Sequence, residues 1–457
     1  MNSNQELSGI NKLFPLLAVK DANIRKEIVA GITTFLTMAY IIAVNPGTLS
    51  AAGMDAGALV TGTCLAAAIG CFIMGFMANL PFALASGMGL NAFFAYTVVL
   101  KGGVPWEVAL TAVFVEGIIF IFLTLFKVRE AVVNSIPLNM KHAVTAGIGI
   151  FIAFIGLKGC GLIVGNEATL VSLNHITPTV LFAFVGLIVI AVFDKKGLKG
   201  SILAGIAVAS IIAWIYALSN PKHAAELGIY LPNGIFKYES IKPIAGKVDF
   251  NFMAHPKDIG NFFVVVSTLL FVDFFDTVGT LVGVSSKANM LDENGRVPNV
   301  GRALLADSFA TTIGALLGVS TVTTYVESST GVLAGGRTGY TAVTVGVLFL
   351  IAMFFSPIFI AIPACATAPA LIYVGYLMIS SIHEIDIHNI TEGLPSFITV
   401  VSMALTFSIG DGLTIGILSY VVINLIYNIF AKKEEREKIS WVMIILALLF
   451  FIKLAFL

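Results

Sequence analysis

Long runs of hydrophobic residues, separated by short polar stretches, follow one another along almost the whole chain. Most runs are long enough to cross the ~30 Å hydrocarbon core of a bilayer as a helix. The pattern predicts an all-α polytopic membrane protein with fourteen segments, numbered here in chain order: 28–50, 57–78, 81–100, 106–126, 143–163, 178–193, 200–218, 260–285, 302–319, 322–340, 341–363, 366–381, 395–410 and 412–430.

A polar, proline-bearing insert separates the first seven segments from the second seven. Because seven is odd, the two sets have opposite orientations, which is typical of the inverted repeats of secondary transporters. The predicted organisation is a cytoplasmic N-terminus (1–27), a first repeat (28–218), an extracytoplasmic insert (219–259), a second repeat (260–430) and a basic loop with a C-terminal hydrophobic segment (431–457). Residues 440–457 are apolar enough for a fifteenth segment, and whether they cross the membrane stays open.

Positive charges set the predicted orientation. If the N-terminus is cytoplasmic, one side of the membrane collects Lys127, Arg129, Lys141, Lys195, Lys196, Lys199, Lys287, Arg296, Arg302, Lys432, Lys433, Arg436 and Lys438. By the positive-inside rule that side is the cytoplasm, and the predicted location is the plasma (inner) membrane. The first 27 residues are polar and mixed in charge, so a cleaved signal peptide is not expected.

Segments 3 and 10 are both interrupted. A short extended stretch, NLPFALAS (79–86) or VSTVTTYV (319–326), precedes a glycine-rich one, GMGLNAFFAY (87–96) or STGVLAGGRTG (329–339). Extended backbone persists at membrane depth only where it pairs with protein or lines a wet cavity. We expect two short strands that pair across a pseudo-twofold axis, each leading into a half-helix whose N-terminus points at the bilayer centre. The alternative is a re-entrant turn whose glycines serve close packing.

Composition narrows the class of function. The chain is 58% hydrophobic and 11% charged, whereas soluble domains contain about 25% charged residues. Its net charge of zero argues against nucleic-acid binding. The cysteines have unrelated spacings within apolar surroundings, so we expect small buried residues and no disulfide or metal pair: Cys64, Cys71, Cys160 and Cys365. No cofactor or metal is expected.

Polar residues at the two interruptions are the candidates for substrate binding. Glu327 lies where the strand of segment 10 meets its half-helix, and its carboxylate could accept two N–H groups of a ligand or simply cap the helix. Ser328 follows it and is included in the predicted site. In segment 3, Asn91 supplies an amide, and Phe93 and Phe94 either face a flat ligand or pack within the protein.

Ionisable residues inside membrane segments are rare and often functional. Asp273 and Asp276 lie three residues apart and share a helix face, so one of them is expected to be protonated near neutral pH, as suits proton coupling. The alternative interpretation of Asp273 is that it contacts polar side chains and serves only packing. Arg337 is expected to pair with a structural carboxylate or carbonyl. Asp307 is assigned to packing between helices and nothing in the sequence converges on Glu116, so both are left out of the predicted site. These residues indicate a small, planar, polar solute carried with protons.

Four motifs carry a resemblance to a known family: ITTFLTMAYIIAVNP, LASGMGLNAFF, DFFDTVGTLVG and YVESSTGVLAGGRTGYTAV. They resemble those of the AzgA-like purine permeases, a branch of the nucleobase–cation symporter (xanthine/uracil permease) superfamily, and the likeness covers about residues 12–430. The resemblance implies a seven-plus-seven inverted repeat with core and gate domains. It also implies uptake of adenine, guanine or hypoxanthine, driven by the proton gradient and with guanine and hypoxanthine slightly favoured over adenine.

The resemblance also implies roles for individual positions. Glu327 matches the substrate-binding glutamate of segment 10, and Asn91 matches the asparagine of segment 3. Asp276 matches the essential acidic position of segment 8. Asp273 matches its variable companion, where purine preference is expected to be tuned.

Other functions stay open at this point. An anion (sulfate or dicarboxylate) carrier of the same fold would use the half-helix N-termini, although three acidic groups argue against it. A passive nucleobase facilitator is a further alternative. A channel would need a continuous polar face, and an enzyme would need a nucleophile–base or metal constellation. Besides the nucleobase and the lipid bilayer, a homodimer is a possible assembly by analogy with relatives of this fold.

Overall fold

The computed structural model describes residue 16 and residues 23–126, 137–250, 256–287, 290, 299–434 and 436–456. Every predicted segment contains helix. The helices are, in segment order, Ile24–Met38 with Ile41–Leu49, Ala56–Ile73 continued by Met74–Ala78, Met88–Ala92 continued by Phe93–Lys101, Trp106–Leu125, Leu138–Gly159, Pro178–Lys195, Ser201–Ser219, Pro256–Lys287, Val300–Leu316, Ser328–Leu333, Gly339–Ala352 with Ser356–Ile360, Ala364–Ile379, Ile390–Leu405 and Ile409–Phe430. The predicted all-α polytopic fold is confirmed.

Eight of the described helices have the length and apolar composition needed to cross a membrane, and they belong to segments 1, 2, 4, 5, 6, 7, 12 and 14. The helices of the interrupted segments 3 and 10 are too short to cross a membrane, because each begins only after a strand. A further helix, Trp441–Phe456, packs against segment 14. The chain is therefore a multi-pass membrane protein, and the topology of residues 440–457 stays open.

The two interruptions form the predicted pair of strands. Leu84–Ser86 of segment 3 and Val322–Thr324 of segment 10 are antiparallel, with Ala85 opposite Thr323. All residues of both strands are buried. Two backbone hydrogen bonds extend the ladder, from Gly87 N to Thr321 O and from Tyr325 N to Ala83 O, each 2.9 Å long. Extended backbone in the protein interior is thus satisfied by the opposite repeat, as the membrane environment requires.

Helix packing divides the segments into two groups. Segments 1–4 and 8–11 pack together as a core domain, and segments 5–7 and 12–14 pack together as a gate domain. The largest contacts between two segments have counterparts between the corresponding segments of the other repeat. The contact of segments 2 and 11 corresponds to that of 9 and 4, and the contact of segments 1 and 11 to that of 8 and 4. In the gate, the contact of segments 6 and 7 corresponds to that of 13 and 14, and the contact of segments 5 and 13 to that of 12 and 6. Segments 5 and 12 pack on each other. Segments whose numbers differ by seven therefore occupy equivalent places in the packing, as an inverted repeat requires.

The insert between the repeats packs over one end of the core domain. Thr61 of segment 2 donates its hydroxyl to the carbonyl of Glu239 at 2.8 Å, and the Asp249 amide donates to Thr111 of segment 4 at 2.7 Å. Ile244 is completely buried. Within its described part, the insert therefore connects segment ends that are far apart in sequence.

Two features differ from the sequence prediction or lie outside the structure. An exposed hairpin, Ile163–Asn166 paired with Leu170–Leu173, joins segments 5 and 6, and the hydrophobic pattern did not predict it. Lys127, Arg129 and Arg296, together with residues 1–15 and 17–22, lie outside the described residues, so the orientation in the membrane stays a prediction. The four cysteines are buried, as expected.

Candidate functional site

The strand pair places the starts of two half-helices next to each other. Half-helix 3 (Met88–Lys101) and half-helix 10 (Ser328–Leu333) each begin within four residues of a strand. The turn between strand and half-helix 3 is tight, since a Cβ atom on Gly87 would lie 2.8 Å from the Thr323 side chain. Glycine is thus required at this close approach of two chains.

Glu327 lies at the entry to half-helix 10, and only 7% of its surface is exposed. Its side chain makes no capping hydrogen bond to the half-helix, so the interpretation as a plain N-cap carboxylate is wrong. The hydroxyl of Tyr40 instead donates to Glu327 Oε1 at 2.6 Å. Tyr40 occupies the break between the two helices of segment 1. The carboxylate is therefore held in place from another segment.

A second acidic cluster lies beside the strand of segment 10, around the hydroxyl of Thr277. This oxygen is 3.3 Å from Asp273 Oδ1, 3.0 Å from Asp307 Oδ2 and 2.9 Å from Thr323 Oγ1. A hydroxyl has one proton to donate, and an ionised carboxylate can only accept. The single Thr277 proton is therefore either shared between the two carboxylates or complemented by a proton on one carboxyl group. Through these contacts the cluster links segments 8 and 9.

Asp307, which the sequence analysis assigned to packing between helices, lies between segments 8 and 9 as that assignment expects. It is completely buried and shares Thr277 with Asp273. Asp276, one turn beyond Asp273, is half-buried and interacts electrostatically with Asp307 and Glu327. The predicted pair is thus a group of carboxylates, in which Asp276 connects the two acidic regions.

Asn91, Phe93 and Phe94 lie on half-helix 3. Asn91 is buried, and its Oδ1 accepts a 2.8 Å hydrogen bond from the Ser86 hydroxyl. Its buried Nδ2 has no hydrogen-bond partner among the described residues. A buried donor without a partner is costly, by about 1–3 kcal/mol, and so indicates a place for a ligand acceptor. Phe93 and Phe94 are buried within the main hydrophobic cluster.

The hydroxyl of Ser328, the remaining predicted site residue, accepts a 3.0 Å hydrogen bond from the amide of Ala83. It therefore joins half-helix 10 to the strand region of segment 3.

Sequence reasoning missed two tyrosines at the crossing of the two strands: Tyr40, which donates to Glu327, and Tyr325, whose hydroxyl donates to the carbonyl of Ser86. A tyrosine in the middle of an apolar segment needs a polar partner when buried, and that was the available signal.

Three further charged residues hydrogen-bond to the residues around the strand crossing. The Arg337 guanidinium donates to the carbonyls of Val332 and Gly336, as expected for a structural role. Buried Glu27 accepts the amides of Arg337 at 3.0 Å and Thr338 at 3.3 Å. Glu116 had no evident partner in the sequence, yet it accepts a 3.1 Å hydrogen bond from Thr321, at the entry to the strand.

Three comparisons identify proteins with this architecture. A permease family, Xan_ur_permease, matches residues 25–414. The adenine permease AdeP of Escherichia coli is 42% identical over 434 residues, which are 94% of this chain and 93% of AdeP. The guanine/hypoxanthine permease PbuG of Bacillus subtilis is 41% identical over 441 residues, which are 94% of this chain and 96% of PbuG.

Among solved structures, the transmembrane domain of the cyanobacterium bicarbonate transporter BicA has a TM-score of 0.66 and covers 87% of this chain and 98% of its own. At 17% sequence identity this likeness shows the fold alone. It agrees with the seven-plus-seven arrangement derived from the packing. The relatives in sequence are named permeases rather than enzymes. The chain therefore belongs to the permease family Xan_ur_permease.

Proposed function

We propose that this protein takes up purine nucleobases together with protons, with guanine and hypoxanthine slightly favoured over adenine. The observation that carries the proposal is the buried Glu327 carboxylate, held by Tyr40 at the start of half-helix 10. A carboxylate in such a position forms charge-assisted hydrogen bonds to the N–H groups of a flat heterocycle. The names of the relatives, which are adenine and guanine/hypoxanthine permeases, support the same class of substrate.

Half-helix 3 supplies the complementary groups. The Nδ2 of Asn91, which has no partner among the described residues, is a donor for a carbonyl oxygen or a ring nitrogen of the purine. Guanine and hypoxanthine present a carbonyl next to an N–H group, so they have both an acceptor for the Asn91 amide and a donor for the Glu327 carboxylate. Phe93 and Phe94, and Ser328 next to Glu327, complete the proposed substrate site, and Asp273 tunes its preference.

The acidic cluster supports proton coupling. Thr277 lies within hydrogen-bonding distance of both Asp273 and Asp307, and a proton on one of these carboxyl groups would make both contacts full hydrogen bonds. Asp276 interacts electrostatically with this cluster and with Glu327. A proton taken up here removes a negative charge next to the substrate carboxylate, and this links substrate binding to protonation. The energy source is then the proton gradient, and no cofactor is needed.

Uptake into proteoliposomes tests the proposal. Labelled hypoxanthine, guanine, adenine, uracil and sulfate are supplied with and without a protonophore. Accumulation of a purine that collapses with the protonophore is the expected result. Purine uptake that only equilibrates would identify a passive facilitator and remove the coupling role of Asp273 and Asp276. Sulfate uptake without purine uptake would overturn the function and leave the fold unchanged.

A further inference from the structure

The contact between Tyr40 and Glu327 has a consequence for the choice among purines. Tyr40 is 1% exposed, and its hydroxyl lies 2.6 Å from Glu327 Oε1. In the part of the chain that the structure describes, it is the only side chain that donates a hydrogen bond to this carboxylate. The two oxygens of Glu327 are therefore unequal, since Oε1 already accepts a hydrogen bond within the protein and Oε2 accepts none from any described side chain.

This inequality matters for ligands with two adjacent donors. A ligand that presents two parallel N–H groups binds a carboxylate through both oxygens, as arginine does. A ligand with one N–H group needs a single oxygen. A tyrosine hydroxyl on Oε1 occupies one of the two lone pairs of that oxygen and draws electron density from it, so it mainly weakens the second hydrogen bond that only the first kind of ligand makes.

We propose that Tyr40 is a specificity-determining residue, which engages Glu327 Oε1 and so disfavours purines that present two adjacent N–H donors to this carboxylate. The proposal rests on the proposed function, since it takes Glu327 as the group that binds the purine. Tyr40 acts through Glu327 and needs no contact with the substrate. Its role is therefore one of positioning, and its effect appears as a change in the ranking of substrates.

Guanine and hypoxanthine are a matched pair of ligands for this test. They differ only in the 2-amino group of guanine, which places a second N–H donor beside N1–H. Tyr40→Phe keeps the aromatic ring and removes only the hydroxyl. The loss of this hydroxyl changes the carboxylate for both ligands, and that common effect cancels in the ratio of their apparent KM values. The ratio is expected to move roughly ten-fold in favour of guanine, the size of one hydrogen bond to a charged group.

Tyr325→Phe is the matched control. Its hydroxyl is also buried at the strand crossing, but it donates to the carbonyl of Ser86 and not to Glu327. We expect this variant to change the KM values of guanine and hypoxanthine by the same factor. If both tyrosine variants moved the ratio equally, the effect would be a general result of losing a buried hydroxyl, and the proposal would be overturned.

A second replacement covers the case in which Tyr40→Phe does not fold. Site-specific 3-fluorotyrosine at position 40 keeps the ring and a more strongly donating hydroxyl, so the ratio is expected to shift towards hypoxanthine. An unchanged ratio in a folded variant at position 40, with purine uptake by the natural sequence intact, would overturn the role of Tyr40 alone. Absence of purine uptake by the natural sequence would overturn the proposed function, and this inference with it.

Discussion

At the scale of single residues, the proposed site is a set of buried carboxylates that hydrogen-bond to hydroxyl groups. Tyr40 donates to Glu327, and Thr277 lies between Asp273 and Asp307. Burying several carboxylates together is unfavourable unless they are hydrogen-bonded or protonated. In the proposed function, the hydroxyl groups would determine which carboxylate stays an acceptor for the substrate and which one holds the proton.

Replacement of Glu327 tests the acceptor role. Glu327→Gln keeps the shape but replaces one acceptor oxygen with a donor NH₂ group, so we expect apparent purine affinity to fall roughly 10- to 100-fold, the value of a hydrogen bond to a charged group. Binding to the purified protein measures it. Glu239→Gln is the control, because Glu239 lies in the insert and pairs with Lys237 at 2.7 Å. Unchanged affinity in Glu327→Gln would remove Glu327 from the site.

Asp276 is expected to couple transport to protons. Asp276→Asn removes the titratable group between the two acidic regions, so accumulation driven by a pH gradient should be lost, either with or without residual equilibrating uptake. Uptake in proteoliposomes with an imposed pH gradient measures this. Asp55→Asn, at the N-cap of segment 2, is the control. Accumulation that still follows the pH gradient in Asp276→Asn would contradict the assignment.

At the scale of elements, half-helix 10 is fastened along segment 1. Tyr40 contacts Glu327 at its start, and Thr37 contacts Thr330 one turn later at 3.1 Å. Gly331 continues this contact, since a Cβ atom there would lie 2.7 Å from the carbonyl oxygen of Ala30. The half-helix is only six residues long and would not be stable alone. Its position, and that of Glu327, therefore depends on segment 1.

Gly331→Ala tests this dependence. The added methyl group has no space, and overpacking of this kind typically costs about 1–3 kcal/mol. We expect half-helix 10 to move away from segment 1, with a higher apparent KM for all purines and a lower unfolding temperature. Gly301→Ala, in the first turn of segment 9, adds the same methyl group where no atom of the described residues lies within 4 Å. Equal effects of the two variants in uptake and thermal unfolding assays would rule out the proposed role of the contact.

The elements show how far a sequence predicts such a site. The strands were predictable, because proline and β-branched residues interrupt apolar segments at corresponding places in the two repeats. Glu327, Asp273 and Asp276 were identifiable because charge inside a membrane is costly. The contact of Asp307 with the Thr277 hydroxyl was not, since the two residues lie 30 positions apart in sequence. The contact of Tyr40 with Glu327 could not be predicted from the sequence for the same reason, because the two residues lie 287 positions apart in different repeats.

At the scale of the whole molecule, every residue of the proposed site belongs to the core domain. Tyr40, Asn91 and Glu327 lie on segments 1, 3 and 10, and the remaining carboxylates lie on segments 8 and 9. Motion of the core against the gate would therefore carry the site as one unit. The packing of segments favours this, because each domain is built from segments of both repeats.

One seam between core and gate lies at the far end of half-helix 3. Lys101 pairs with Asp411 of the gate at 3.3 Å, and Thr97 donates to the carbonyl of Phe407 at 3.3 Å. Phe407 has a φ of 53°, which is uncommon for a bulky residue. Its ring contacts those of Tyr96 on the core and Phe151 on the gate, with centroids 5.9 and 5.4 Å apart. The turn between segments 13 and 14 of the gate, which contains Phe407, therefore packs against half-helix 3, which also carries Asn91.

Linking this seam should stop transport without abolishing binding. The side chains of Lys101 and Asp411 are 55% and 32% exposed, so cysteines placed there can be reached by a short, reducible bifunctional thiol reagent, whereas the natural cysteines are buried. The ion pair itself is worth at most about 1 kcal/mol because it is exposed, so the unlinked double variant is expected to transport normally. Cross-linking should reduce uptake to background, reductant should restore it, and purine binding should persist throughout. Each single-cysteine variant treated with the same reagent serves as the control, and full uptake by the cross-linked protein would show that the core can deliver its substrate while this seam stays closed.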